Sequence, residues 1–467
     1  MSEIKKIVDK IRTGQTMAVA EVMAAVERAK NIADTNAILE ITEEYAIKRA
    51  EQVDKDIADG KIGRLAGVPF VAKDNFLTFG SKTTAASKIL QNFQAPLQAT
   101  VIEKLEAEGA ICIGKANLDS FAHGGSTENS AFGVTHNAVD SDRVAGGSSG
   151  GSAVVVARGV VPFALGTDTG GSIRQPASFN GVVGLKSSYG LISRFGVVAM
   201  ASSTDVVGPI ARTVEDAEIV TEIMAGKDGK DMTVWADGYR KADGKKPKCI
   251  GVIKEFMGDG VYADVKAAVK QQVENLTKEG YIVREVSLPM VKYAISIYYI
   301  VVPAELSSNL ARYDGIRYGQ RSQDAKTLAE IYGLSRDEGF VDENKRRIMI
   351  GAFVLSSGFF DAYYLQAEKA RTLLIADFDK AFADVDFLIG PVAPTPAFKI
   401  GEKSHDPIQM YLSDIMTVPA SLAGLPAISV PVATTKNKLP IGLQIIAPYK
   451  KDSEMLAFAK TIKEEKK

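Results

Sequence analysis

The chain is short of the side chains that most often carry catalysis or bind metals. Its 467 residues include three histidines and two cysteines. His123, His136 and His405 stand in no recognisable triad setting, which disfavours a Ser-His-Asp enzyme. Cys112 and Cys249 lie far apart in apolar, strand-like runs and read as reduced core thiols, which argues against a disulfide framework and a cysteine metal site. Charge of one sign is also lacking: 56 basic against 57 acidic residues leave a net charge of -1, no field for binding nucleic acid alone or an anionic membrane. No uninterrupted apolar stretch could span a bilayer, and MSEIKKIVDKIR has no apolar signal core, so the expected location is the cytoplasm. Internal repeats and phosphate-binding loops are absent as well.

What is present is an ordinary globular composition, 46% hydrophobic and 24% charged. Helical periodicity runs over Ile4–Arg12 and Val19–Ile32, and Thr42 is placed to cap a helix reaching about Asp59. Thr100–Gly109 reads as a helix with a glycine stop before a strand at Ala110–Gly114. The same order recurs at Ala263–Gly280 with Tyr281–Val286, and without the glycine at Asp361–Ala383 with Val385–Ile389. Helices alternating with strands predict an α/β fold: one large domain over 1–467, with a twisted mixed sheet covered by helices on both faces. Within it, 1–60 are N-terminal helices, 61–220 the core, and 221–467 the rest of the sheet with a helical substrate-pocket region. The polar run from Gly226 through Lys248 reads as a surface excursion between two parts of that sheet.

The most unusual stretch is Val144–Pro176, with two glycine- and serine-rich turns, Gly146–Ser152 and Asp168–Ser172. Between them lie apolar runs that fit a short helix and then a buried strand at Val161–Leu165. A flexible linker would be polar on both sides, and no lysine follows the glycines as a phosphate loop requires. Glycine is costly in chain entropy. Its accumulation beside serines fits a backbone held open so that N–H groups face a reacting oxygen. Thr169, Gly170 and Gly171 just before Ser172 have the composition of an oxyanion hole.

A nucleophilic serine needs a base. Gly67–Asn75 reads as a buried strand with Lys73 at its C-terminal end, where catalytic groups sit in open α/β sheets. Desolvation lowers a lysine pKa, and moving it from about 10.4 to near 7 represents roughly 4–5 kcal/mol of bias against the ammonium form. A neutral Lys73 can accept a proton. A solvated surface lysine is the alternative that its strand-end position opposes.

Lys73 in VAKDN, Ser148 in GGSSGGSA and Ser172 in DTGGSIRQPA resemble the Ser-Ser-Lys triad of the amidase signature family. The similarity is continuous from about Leu65 to Asp216 and includes GLKSSYGLISRFGVV and GPIARTVEDA. It implies that Ser172 is the nucleophile and Lys73 the base, with Ser148, preceded by a cis peptide bond from Gly147, relaying the proton. Backbone amides near Thr169, Gly170 and Gly171 would hold the oxyanion. His123 occupies a glycine-broken loop where the family more usually has methionine, and is given no chemical role.

Three later stretches, YYIVVPAELSSNLARYDGIRYG, ENKRRIMIGAFVLSSGFFDAYY and YLSDIMTVPASLAGLPAISVP, resemble the glutamine-hydrolysing subunits of the tRNA-dependent amidotransferases within that family. Glutamine carries a carboxylate and an ammonium, so its pocket needs a fixed cation and a fixed anion. The resemblance gives Arg347 the carboxylate, Asp414 the ammonium and Tyr298 a supporting hydroxyl. A register one residue off, at Arg346 and Tyr299, is the alternative. It further implies no metal or cofactor in this chain. Ammonia would pass to a GatB-like subunit that activates misacylated tRNA with ATP and Mg2+, a small GatC-like subunit completing the complex. The competing expectations are a free-standing amidase acting on small or acyl amides and an inactive scaffold.

Overall fold

A computed structural model describes residues 2–463; Met1 and residues 464–467, included above in the first and last segments, lie outside the described residues. Eleven strands form one sheet: β1 (Ile38–Ile41), β2 (Pro69–Lys73), β3 (Ile111–Ala116), β4 (Phe163–Asp168), β5 (Val183–Lys186), β6 (Val206–Ala211), β7 (Cys249–Ile253), β8 (Ile282–Val286), β9 (Phe387–Pro391), β10 (Ala427–Thr434) and β11 (Pro440–Ile446). Their order is β1-β3-β2-β4-β6-β5-β10-β11-β9-β7-β8. The sheet is mixed as expected: β2 runs parallel to β3 and β4, and β7 parallel to β8 and β9, while β4 to β6 and β10 to β11 are antiparallel. The antiparallel pairing of β5 with β10 joins the two parts.

Both faces of the sheet are covered, which is why its strands read as apolar runs instead of alternating patterns. Phe70, Ala72, Phe163 and Leu165 point to one face, against helices Glu3–Arg12, Thr100–Ala107, Val214–Met224 and Ala263–Lys278. Val71 and Ala164, one residue out of phase, face helices Ala18–Lys30, Glu43–Ala58 and Gly150–Ala157. Farther along that face, Leu388, Ala427 and Ile446 pack against helices Ala294–Asn309 and Leu365–Phe382. No helix among the described residues is long and apolar enough to cross a membrane.

Several expectations need adjusting. The strand placed at Val161–Leu165 begins only after Pro162, which has no N–H to give a ladder, and runs to Asp168 because β6 pairs with it along that whole length. Thr42 precedes its helix as expected but does not cap it; its hydroxyl donates to the Cys112 carbonyl at 3.1 Å. The helix expected from Asp361 opens as a π turn over Phe360–Tyr364 before helix Leu365–Phe382. Cys112 is a buried free thiol, whereas Cys249, at the start of β7, is only half-buried and accepts from Arg284 Nε at 3.1 Å.

Candidate active site

The parallel pairing of β2 with β4 places the ends of both strands at the same sheet edge. Lys73 is the last residue of β2, and β4 leads directly into the turn Thr169–Ser172. Ser148 and Ser149 precede helix Gly150–Ala157, which returns to β4. The two hydroxyl-bearing turns therefore meet: Ser149 N–H donates to the Ser172 carbonyl at 3.1 Å. The peptide between Gly147 and Ser148 is cis. Gln175 clamps this turn from the following helix, its Oε1 accepting from Gly147 N at 3.0 Å and its Nε2 donating to the Gly125 carbonyl at 2.7 Å.

Lys73 is fully buried, and its amine touches three hydroxyls: Ser148 Oγ at 2.8 Å, Ser149 Oγ at 2.9 Å and Thr167 Oγ1 at 2.9 Å. The Ser149 proton is committed to the Thr167 carbonyl at 3.2 Å, and Thr167 Oγ1 already accepts from Asn75 Nδ2 at 3.1 Å. The amine thus donates to Ser149, while Ser148 and Thr167 each keep a hydroxyl proton that can be given to it. A neutral amine has two protons and one lone pair, so the lone pair is left for one of those two hydroxyls. Burial pushes the Lys73 pKa down to about 7, against the opposing pull of Asp119, Asp168 and Asp205. The neutral form is populated at physiological pH.

The turn after β4 is anchored on both sides and open in the middle. Asp168 accepts from Ile173 N at 3.1 Å and is paired with Arg174, whose Nη1 reaches the Thr417 carbonyl at 2.9 Å and Gln444 Oε1 at 2.6 Å. Thr169 Oγ1 donates to Asp205 Oδ1 at 2.7 Å. No backbone N–H from Thr169 to Gly171 donates to a protein acceptor among the described residues. Side chains are excluded here by close approach: a Cβ on Gly170 would lie 2.7 Å from Tyr298 Oη, and one on Gly171 would collide with Thr417. The Ser172 side chain makes no hydrogen bond with the described residues and is 8% exposed. Its hydroxyl is unencumbered.

A cavity of about 90 Å³ opens among Gly125, Glu128, Tyr299, Arg346, Arg347 and Asp414. Arg347 is buried, its Nε donating to Glu343 Oε1 at 2.7 Å, and its guanidinium lies over the rings of Tyr299 and Tyr411 at 5.1 and 5.6 Å. Those rings stack on each other with centroids 3.7 Å apart. Asp414 stands 3.2 Å from where a Gly125 side chain would begin. Burial pushes its carboxyl up to about 8, Arg347 pulling the other way. Asp414 Oδ1 and Glu128 Oε2 are enclosed without a hydrogen-bond partner among the described residues. Orphaned acceptors on one wall and a guanidinium on another suit a small ligand carrying both an ammonium and a carboxylate.

The structure thus brings Lys73 to Ser148, and Arg347 and Asp414 to one cavity. Of the two registers, Arg347 is the enclosed arginine and Arg346 has a side chain 45% exposed. The tyrosines divide: Tyr299 lines the cavity, while Tyr298 packs on Gly170 of the open turn. Sequence reasoning missed Ser149 and Thr167 as partners of the amine. Ser149 adjoins Ser148, and Thr167 is the last hydroxyl inside β4. It also missed Glu343 and Tyr411, which touch Arg347 only through the tertiary fold.

A serine pair, a buried amine and an open glycine turn at one sheet edge define an amide-hydrolase type of site, and the Amidase family model matches residues 20–456. The chain belongs to the amidase family. It is 53% identical over 436 residues to the A subunit of the glutamyl-tRNA(Gln) amidotransferase from Koribacter versatilis, covering 92% of this chain and 91% of that one. The corresponding protein of Carboxydothermus hydrogenoformans is 51% identical over 451 residues, covering 95% and 92%. Among solved structures, its counterpart from Thermotoga maritima superposes with a TM-score of 0.77 at 37% identity, covering 97% of this chain and 90% of that one.

Proposed function

We propose that this chain is the glutamine-hydrolysing subunit of a glutamyl-tRNA(Gln) amidotransferase, releasing ammonia for use by partner subunits. Its relatives at about half identity over nearly their whole length bear that name. The single observation carrying the chemistry is the buried Lys73 amine 2.8 Å from Ser148 Oγ. In this reading Ser172 Oγ attacks the carboxamide carbon, its proton passing to Ser148 while the Ser148 proton passes to Lys73. The oxyanion is met by the free N–H groups of the Thr169–Gly171 turn, each such donor contributing on the order of 3 kcal/mol. The carbon–nitrogen bond breaks as the proton held at Lys73 returns through Ser148 to the leaving nitrogen. Water then hydrolyses the ester on Ser172, giving glutamate.

Arg347 holds the substrate carboxylate and Asp414 its ammonium, with Tyr298 bracing the turn beside the nucleophile. ATP and Mg2+ belong to the GatB-like subunit, a GatC-like subunit completes the complex, and misacylated tRNA is met through the complex in the cytoplasm. The test is glutamine hydrolysis by Lys73→Ala and Ser172→Ala with folding followed by circular dichroism. Both are expected to fold and to lose nearly all turnover; ammonia release by Ser172→Ala would show that another group is the nucleophile. A free-standing amidase is the second reading, favoured by the TM-score of 0.83 to a protein described only as an amidase, at 32% identity. Full activity of the isolated chain on simple amides, with no preference for glutamine, would select it.

A further inference from the structure

The turn before Ser172 is gripped at one further point. Thr417 is fully buried, and its hydroxyl lies 2.6 Å from the Gly170 carbonyl and 3.1 Å from the Asp414 carbonyl. The Asp414 carbonyl already accepts from Thr417 N and Val418 N, each at 3.0 Å, which fills its two lone pairs. The Gly170 carbonyl has no other donor among the described residues. The single hydroxyl proton of Thr417 therefore goes to Gly170. Gly170 C=O and Gly171 N–H belong to one trans peptide, in which the two bonds point in opposite directions. Fixing the carbonyl towards Thr417 thus turns the Gly171 N–H away from it, and that N–H has no acceptor among the described residues.

Two consecutive glycines leave the peptide between them free to turn over, because no side chain restricts the dihedrals on either side. In the inverted orientation the Gly170 carbonyl, and not an N–H, would occupy the open side of the turn and repel an oxyanion. A hydrogen bond from outside the turn selects between the two. Resting on the oxyanion reading of this turn, we propose that Thr417 is a positioning residue that holds the Gly170–Gly171 peptide with its N–H set to donate to the tetrahedral oxyanion formed on Ser172. Thr417 closes the turn that begins at Asp414, so the segment that brings the Asp414 carboxylate to the cavity also sets this peptide. Without the hydroxyl, the Gly170 carbonyl is buried with no donor and the peptide is released.

Steady-state ammonia release by the assembled complex tests this. Thr417→Val keeps the shape of the side chain and removes the hydroxyl; kcat for L-glutamine is expected to fall about a hundredfold, the weight of one oxyanion donor, with KM within about threefold. Thr417→Ser, which keeps the hydroxyl, should hold kcat within about threefold of wild type. The boronic acid analogue of glutamine, in which B(OH)2 replaces the carboxamide, forms a tetrahedral anionic adduct with a serine. It should bind Thr417→Val about a hundredfold more weakly, whereas inhibition by L-glutamate, which forms no adduct, should stay within about twofold. An unchanged kcat in Thr417→Val, or equal losses of boronate and L-glutamate binding, would overturn the assignment. A measurement free of variants is a crystal structure of the wild-type boronate adduct, in which Gly171 N should lie about 2.9 Å from a boronate oxygen. An adduct on Ser172 with Gly171 N out of reach of every boronate oxygen overturns the proposal alone. An adduct on another residue overturns the nucleophile reading, and the proposal with it.

Discussion

At the scale of single residues, two groups with displaced pKa values should separate the two kinetic parameters. Lys73 is pushed down to about 7; in the proposed mechanism it is a base in its neutral form, so activity is expected above that value and lost below it. We expect kcat for glutamine to fall about tenfold per pH unit below about 7; a flat kcat from pH 5.5 to 7 would contradict the role. Asp414 is pushed up to about 8 by burial. In the proposed pocket its carboxylate form pairs with the substrate ammonium, and below that value a proton must leave before the pair can form. KM should therefore rise as pH falls below about 8, by up to about tenfold per unit. Asp414→Asn should raise KM at pH 8 and abolish this slope while leaving the kcat profile in place. A KM slope that persists in Asp414→Asn would assign it to another group.

At the scale of elements, the turn carrying Ser172, the proposed nucleophile, is held by what surrounds its first and last residues. Arg174 and Asp168 are both fully buried and paired at 2.9 Å, and the guanidinium extends the tie to Thr417 and Gln444. Removing one partner of a buried pair leaves the other charge uncompensated, at about 3–5 kcal/mol. Arg174→Leu is thus expected to lower stability by that order in denaturant unfolding and to reduce kcat. The double variant with Asp168→Asn should recover part of the loss. Additive losses would show that the two side chains act independently. None of this tie was legible in the sequence, where Arg174 was simply a residue of the SIRQP run. Legible were the local features: the strand ending in Lys73, the helix after the first glycine turn, and the helices before β3 and β8, because each is set by neighbours a few residues away. Hidden were the features set by distant contacts. Ser149 and Thr167 share the amine through the parallel pairing of β2 and β4, and Tyr411 meets Tyr299 only because two segments far apart in sequence converge on Arg347.

At the scale of the whole molecule, the sheet divides the work between its two parts. The proposed nucleophile and base stand on strands and turns before residue 175, whereas Arg347 comes from helix Asp342–Val354 and Asp414 from the turn between helices Pro407–Leu412 and Val418–Leu422. In the proposed mechanism, chemistry and substrate recognition are thus carried by separate stretches of chain. That separation extends to the proposed complex, in which this chain supplies ammonia and a partner consumes it. The two half-reactions should then be separable by a single substitution that leaves the fold intact. In the complex assembled with its two partner subunits, Ser172→Ala should abolish glutamine-dependent amidation of Glu-tRNA(Gln). The same complex should keep amidation supported by added ammonium chloride within about twofold of wild type, since the nucleophile takes no part in using free ammonia. Parallel loss of both activities would mean that Ser172 serves the assembly as well as the hydrolysis, and that the division of labour drawn across the sheet does not hold across the subunits.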